Sequence, residues 1–238
     1  MKMAFSDGGC PRIIPHGLAK IKSFDRMVAM EFESYSFRLA KEILKQRPAW
    51  HELEEVLHSI EAEHVLKAQN DIVSEPAGKY NVRQRKAPAG AQAAINKLFK
   101  DRLVLRHWKT EPVLFPADEG LGEWKMDFLK DKIGVEVSFN HAEAIAWTFT
   151  RVTLAGESTE VIKGSQIEVA VAIYATQELK KWGKMDSAVG PYERAKLWLT
   201  KMRPVKPIPI LLVGLKPHSV GGKAWPHTSV FRGTKTRG

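Results

Sequence analysis

The sequence predicts an α/β fold, a mixed central β-sheet flanked by helices, and three features carry that expectation. Two short apolar runs, IEVAVAIYA at residues 167–175 and IPILLVGL at residues 208–215, have the composition of strands buried on both faces. Stretches with apolar residues every three to four positions precede and separate them, as in helices that cover a sheet. Between residues 124 and 139 the period changes to short β-branched and aromatic runs, the mark of a hairpin.

From the N-terminal side, PAWHELEEVLHSIEAEH spaces Trp50, Leu53, Leu57 and Ile60 along one helical face. Pro48 suits the first turn, and the early acids Glu52, Glu54 and Glu55 suit the positive end of the helix dipole. The basic segment KYNVRQRK and the KAPAG that follows read as a loop. AQAAINKLFKDRL is a second helix with Ile95, Leu98, Phe99 and Leu103 inward, and TEPVLFPADEGLG after it reads as irregular. WKMDFL and KIGVEVSF, joined at Lys130 and Asp131, form an antiparallel hairpin. YERAKLWLTKM is a late helix that turns Ala195, Trp198, Leu199 and Met202 inward, and the strand at 208–215 closes the fold. A chain of 238 residues with 44% hydrophobic residues supports one compact domain: a leader or accessory segment at 1–40, a core at 42–215 and a basic tail at 216–238.

A formal net charge of +10 makes polyanions the leading class of partner. No acid follows Glu193, whereas Arg194, Lys196, Lys201, Arg203, Lys206, Lys216, Lys223, Arg232, Lys235 and Arg237 do. Lys79, Arg83, Arg85 and Lys86 make a second basic cluster. One such cluster is as well explained by a solvated surface; two favour nucleic-acid phosphates. The single Cys10 forms no intramolecular disulfide and suits a reducing cytosol. No run approaches the roughly 18 apolar residues of a membrane span, and the N-terminus lacks the apolar stretch of a signal peptide.

Within the hairpin, Asp127 sits between Met126 and Phe128, and Glu136 between Val135 and Val137. If the two strands pair, these carboxylates converge at one end of the sheet, where they repel unless they share a proton or a cation. Two carboxylates, a main-chain carbonyl and waters suit Mg²⁺. The plainer alternative leaves Asp127 serving a turn and Glu136 pointing outward from an edge strand.

The surrounding motifs add to this. DRLVLRHWKTEPVL and EWKMDFLKDKIGVEVSFNH together resemble the core of the BglII-like family of type II restriction endonucleases, in the PD-(D/E)XK nuclease superfamily. EILKQRPAWHELEEVL, GAQAAINKLFKDRLVLRHWK, PYERAKLWL and PIPILLVGL extend the likeness in order across most of residues 42–215. The resemblance implies a restriction-endonuclease-like fold and Mg²⁺-dependent, sequence-specific double-strand cleavage of DNA within a restriction-modification system. It makes Asp127 and Glu136 catalytic metal ligands and the Val137 carbonyl a third. Ser138 takes the last catalytic position, where the superfamily carries lysine and the BglII-like members glutamine. A hydroxyl there is shorter and uncharged, and Lys125 is a candidate to assist. Asn140, His141 and Arg151 fall where family members approach bases. Asn140 and His141 are equally well read as caps of the helix in AEAIAWTF. Arg83, Arg85 and Lys86 would grip phosphates. A palindromic site implies a symmetric homodimer in a prokaryotic cytoplasm.

Other chemistries find little support. The eight histidines lack the HExxH spacing of a zinc helix, and no GxxxxGK[ST] phosphate loop is present. Two classes remain: a Mg²⁺-dependent endonuclease, and a DNA-binding protein on a nuclease fold that lost activity with its lysine or glutamine.

Overall fold

A computed structural model describes residues 30–74, 90–117 and 122–217, and the backbone at 219–220 and 223–224. Cys10, Lys79, Arg83, Arg85, Lys86 and the end of the basic tail lie outside the described residues.

The elements run β1 (Glu31–Phe37), α1 (Ala40–Leu44), α2 (Pro48–Ser59), α3 (Ala62–Ser74), α4 (Gln92–Val104), β2 (Lys109–Thr110), β3 (Val113–Phe115), β4 (Trp124–Lys125), β5 (Phe128–Lys130) and β6 (Ile133–Val137). Then follow α5 (Ala144–Glu157), β7 (Val169–Ala175), α6 (Gln177–Trp182), α7 (Tyr192–Lys201), β8 (Ile210–Lys216), β9 (Ser219–Val220) and β10 (Lys223–Ala224). Six strands form one mixed sheet in the order β1-β8-β7-β6-β5-β2. It is parallel where β7 meets β6 and β8, and antiparallel at the other three joins.

Alternation along the central strands explains the layers. On β6, β7 and β8, Val135, Val137, Val171, Ile173, Leu211 and Val213 face a core built with α1 to α4. Ala170, Ala172, Tyr174, Ile210 and Leu212 face a second core under α5 and α7. Both faces are covered, so β7 is buried at every position, as its unbroken apolar sequence requires. Gly214 continues the second face, and a Cβ there would lie 2.5 Å from the Tyr192 ring, so a side chain would push α7 off the sheet.

Several elements differ from the sequence reading. The first helical stretch divides in two, because Ile60 leaves helical geometry and its carbonyl accepts the Met30 amide at 2.7 Å. Residues 31–37, inside the expected leader, pair along β8 as the edge strand of the main sheet. TEPVLFPADEGLG is not wholly irregular, since Val113–Phe115 pairs with Trp124–Lys125 in a separate ribbon. WKMDFL is therefore two short strands, with Asp127 at the bend between them. In α7, Tyr192, Ala195 and Leu199 are buried, while Trp198 faces solvent at 40% exposure.

The β5–β6 turn puts Asp131 and Lys132 at φ 48° and 61°, the left-handed pair of a tight hairpin without glycine. Three contacts hold it. Arg47 Nη1 donates to the Asp131 carbonyl at 3.0 Å, Lys132 Nζ meets Glu168 at 2.6 Å, and Arg47 Nη2 also donates to Glu168. Hydrogen bonds from Lys132 and Arg47 hold the Glu168 carboxyl down to about 2. At the same end of β5, Lys130 Nζ bonds both Glu52 oxygens at 2.7 and 2.8 Å, and Trp108 Nε1 bonds Glu52 at 3.0 Å. The turn end of the hairpin is thus tied to α2 and to its N-cap, Arg47. Among the described residues no helix is long and apolar enough to cross a membrane.

Candidate active site

The hairpin brings Asp127 and Glu136 together. Phe128 pairs with Val135, so Asp127 lies one step beyond that pair and opposite Glu136. The Val137 amide donates to Asp127 Oδ2 at 2.7 Å, which fixes the aspartate across the end of β6. The Asp127 carbonyl accepts the Glu111 amide at 2.9 Å. Glu136 does not point outward from an edge: β6 is an interior strand and Glu136 is 3% exposed.

Burial pushes the Asp127 carboxyl up, against the Val137 amide and Arg151, which favour its charge. Glu136 is pushed up to about 8, first by burial and then by the Asp127 charge, with Arg151 opposing both. Arg151 Nη1 lies 2.8 Å from Glu136 Oε2. Glu136 Oε1 is buried with no hydrogen-bond partner. Two crowded carboxylates, one of them with an unpartnered oxygen, are the electrostatic condition that a hard cation relieves. Among the described residues no group of three or more His, Cys, Asp or Glu side chains is arranged to hold a metal ion. The chemistry of two carboxylates alone fits a cation that retains part of its water, as Mg²⁺ does.

Ser138 is 3% exposed, and its amide donates to the Ile173 carbonyl at 2.8 Å. Its hydroxyl is next to that of Tyr174, which also approaches Thr148 without forming a well-aligned hydrogen bond. Burial raises the Tyr174 pKa, so the phenol is neutral. Asn140 and His141 are exposed just past β6. Neither caps α5, whose N-cap is Glu143 with no side-chain bond. Arg151, expected near bases, is instead paired with Glu136, although a third of its side chain is exposed.

Two clefts border the site. One, of about 190 Å³, is lined by Asn96, Lys100, Thr110, Glu111, Asp127 and Val137 among others. The second, of about 180 Å³, is lined by Glu123, Trp124, Lys125, Trp147 and Arg151. Lys125, the candidate to assist Ser138, is paired there with Glu123 at 2.7 Å. Sequence reading missed Asn96, Lys100 and Glu111. Glu111 has φ 50° and precedes Pro112, a strained position for a non-glycine residue, and it sits beside Asp127. Its only sequence signal was the Glu-Pro pair.

A family model described as restriction endonuclease BglII/BglIII matches residues 32–215. Among solved structures, restriction endonuclease BglII complexed with a DNA 16-mer is similar at 25% identity and a TM-score of 0.57, covering 79% of this chain and 78% of that one. Free BglII is similar at 24% identity and a TM-score of 0.47, covering 79% and 81%. No curated protein matches the chain.

Proposed function

The chain belongs to the BglII/BglIII family of restriction endonucleases and is a type II site-specific deoxyribonuclease; on that premise we propose that it cuts both strands of a short palindromic DNA site in a Mg²⁺-dependent reaction, as a homodimer within a restriction-modification system. The observation that carries the reading is the buried Asp127–Glu136 pair, with the Val137 amide fixing one carboxylate and Arg151 the other.

Asp127, Glu136 and the Val137 carbonyl would hold Mg²⁺, which when bound supplies Lewis-acid stabilisation of the charge that develops on the phosphoryl group. The protein's own residues do the positioning. The Val137 amide keeps Asp127 turned toward β6, and the Lys130–Glu52–Trp108 contacts keep β5 from sliding against α2. Arg151 holds Glu136 by one oxygen and leaves the other available. Asn140 and His141, exposed at the end of β6, are the groups this reading assigns to base edges, where an asparagine pairs with adenine. The BglII complex with a DNA 16-mer supports duplex DNA as the substrate. Incubating the protein with plasmid DNA and Mg²⁺, then sequencing the ends, tests the proposal. Discrete fragments sharing one palindrome support it; intact plasmid, or ends at unrelated sequences, rejects it.

Two further outcomes follow. Ser138→Ala slows cleavage by no more than roughly tenfold, because one neutral hydrogen bond contributes only about 0.5–1.5 kcal/mol. A loss of several orders of magnitude in single-turnover rate would assign the serine a direct chemical role. For binding, log affinity falls against log salt with a slope of several units, about 0.9 per phosphate neutralised, through Lys79, Arg83, Arg85, Lys86 and the basic tail. Titrations at three salt concentrations measure this, and a flat line would return those clusters to the solvated surface.

A further inference from the structure

Ser138 at the end of the catalytic strand is neutral, buried at 3% exposure, and absent from the lining of the cleft that Asp127 opens into. A phosphodiester entering that cleft brings a negative charge toward Asp127 and Glu111, where a cation belonging to the protein adds to the stabilisation that Mg²⁺ would supply. Arg151 is paired with the buried Glu136, and both Arg151 and Lys125 line the other cleft. Lys100 is the lysine that lines this one.

The helix explains its position. In α4, Ile95, Phe99 and Leu103 are buried, which turns Asn96 and Lys100, one turn apart, together toward the cleft. Lys100 Nζ lies 3.6 Å from Glu111 Oε1, beyond hydrogen-bond length, and more than half of each side chain is exposed. Such a pair contributes little to stability, so Lys100 exchanges it for a phosphate at small cost. A phosphate oxygen offers a charge-assisted hydrogen bond in return.

We propose that Lys100 is a catalytic residue of this enzyme, its ammonium group donating to a non-bridging oxygen of the scissile phosphate and supplying the positive charge that Ser138 does not. The proposal rests on the endonuclease reading above. Lys100 keeps its proton throughout; its part is electrostatic, strengthening as charge accumulates on the phosphoryl oxygens. Glu111 holds the ammonium near the cleft until substrate arrives.

The test compares wild type with Lys100→Gln and Lys100→Arg on a duplex selected for binding from a random pool in Ca²⁺. In Mg²⁺, Lys100→Gln lowers the single-turnover rate on the order of 10- to 100-fold, as expected for a lost charge-assisted hydrogen bond. Duplex affinity falls less than the rate, and Lys100→Arg restores most of the rate. The same duplex is then scanned in Ca²⁺ with an uncharged methylphosphonate at each phosphate in turn. At the scissile position the substitution changes wild-type affinity less favourably than that of Lys100→Gln, and elsewhere the two proteins respond alike. Equal responses at every phosphate overturn the role of Lys100 while leaving the endonuclease reading intact, as does a Lys100→Gln rate within threefold of wild type. A wild-type protein that binds the duplex but never cuts it overturns the endonuclease reading and with it the role of Lys100. A protein that binds no duplex overturns both.

Discussion

Asp127→Asn and Glu136→Gln each lower Mg²⁺-supported cleavage by roughly 10³-fold or more, since removing one carboxylate disables a cation that contributes several kcal/mol of charge stabilisation. The same variants bind duplex DNA in EDTA at least as tightly as wild type. Asp127→Asn removes a carboxylate that lines the cleft, Glu136→Gln replaces a carboxyl that burial already holds protonated below about pH 8, and each neutral side chain keeps the shape of the one it replaces. This combination separates loss of chemistry from loss of fold: a collapsed site would weaken both. Single-turnover cleavage and an EDTA binding titration on the same preparations measure it. Cleavage within tenfold of wild type in either variant would remove that carboxylate from the catalytic set.

The second large effect is on stability against pH in the absence of divalent cations. Glu136 has its carboxyl pushed up to about 8 in the folded protein, from an ordinary value of 4.5, by burial and then by Asp127. Between those values the folded state retains a proton that the unfolded chain has released. The group's contribution is therefore fully present below pH 4.5 and lost as pH rises through 8. From this group alone the slope reaches at most about 1.4 kcal/mol per pH unit. Asp127 is shifted in the same direction, so its contribution has the same sign. Denaturant unfolding of wild type and Glu136→Gln in EDTA shows the difference moving against wild type from pH 5 to pH 8.5. Ca²⁺ raises the wild-type midpoint at pH 8.5 and leaves that of Glu136→Gln nearly unchanged. A difference between the two proteins that stays constant with pH would mean that Glu136 is not held protonated by its surroundings.

Both effects arise from a carboxylate pair whose convergence the hairpin reading anticipated, and from an arginine contact that it did not. The apolar runs that became β7 and β8 were readable because burial on both faces leaves no room for polar residues. The hairpin was readable because WKMDFL and KIGVEVSF are short runs rich in β-branched and aromatic residues with a tight connection between them. EFESYSF, which forms β1, alternates polar residues along an edge and so lacks the density that marks an interior strand. The β3–β4 ribbon spans too few residues to carry a period. Arg151 was placed near bases by the resemblance alone, and its pairing with Glu136 depends on how α5 packs on the sheet. Lys100 looked like any exposed helical lysine. Only the packing of α4, with Ile95 and Phe99 turned inward, brings it over the cleft beside Asp127.

In the proposed reaction Asp127 and Glu136 hold one divalent cation at the end of the sheet. Anomalous diffraction from a crystal of the protein with duplex DNA, soaked in Mn²⁺ as a stand-in for Mg²⁺, tests it most directly. A single strong peak per chain is expected within coordination distance of both carboxylates, close to the 2.1 Å or so of a Mg²⁺–oxygen contact, with the Val137 carbonyl as a further ligand. A cation bound elsewhere, or carboxylates that remain paired only with Arg151 and the Val137 amide while the DNA is cut, would contradict it.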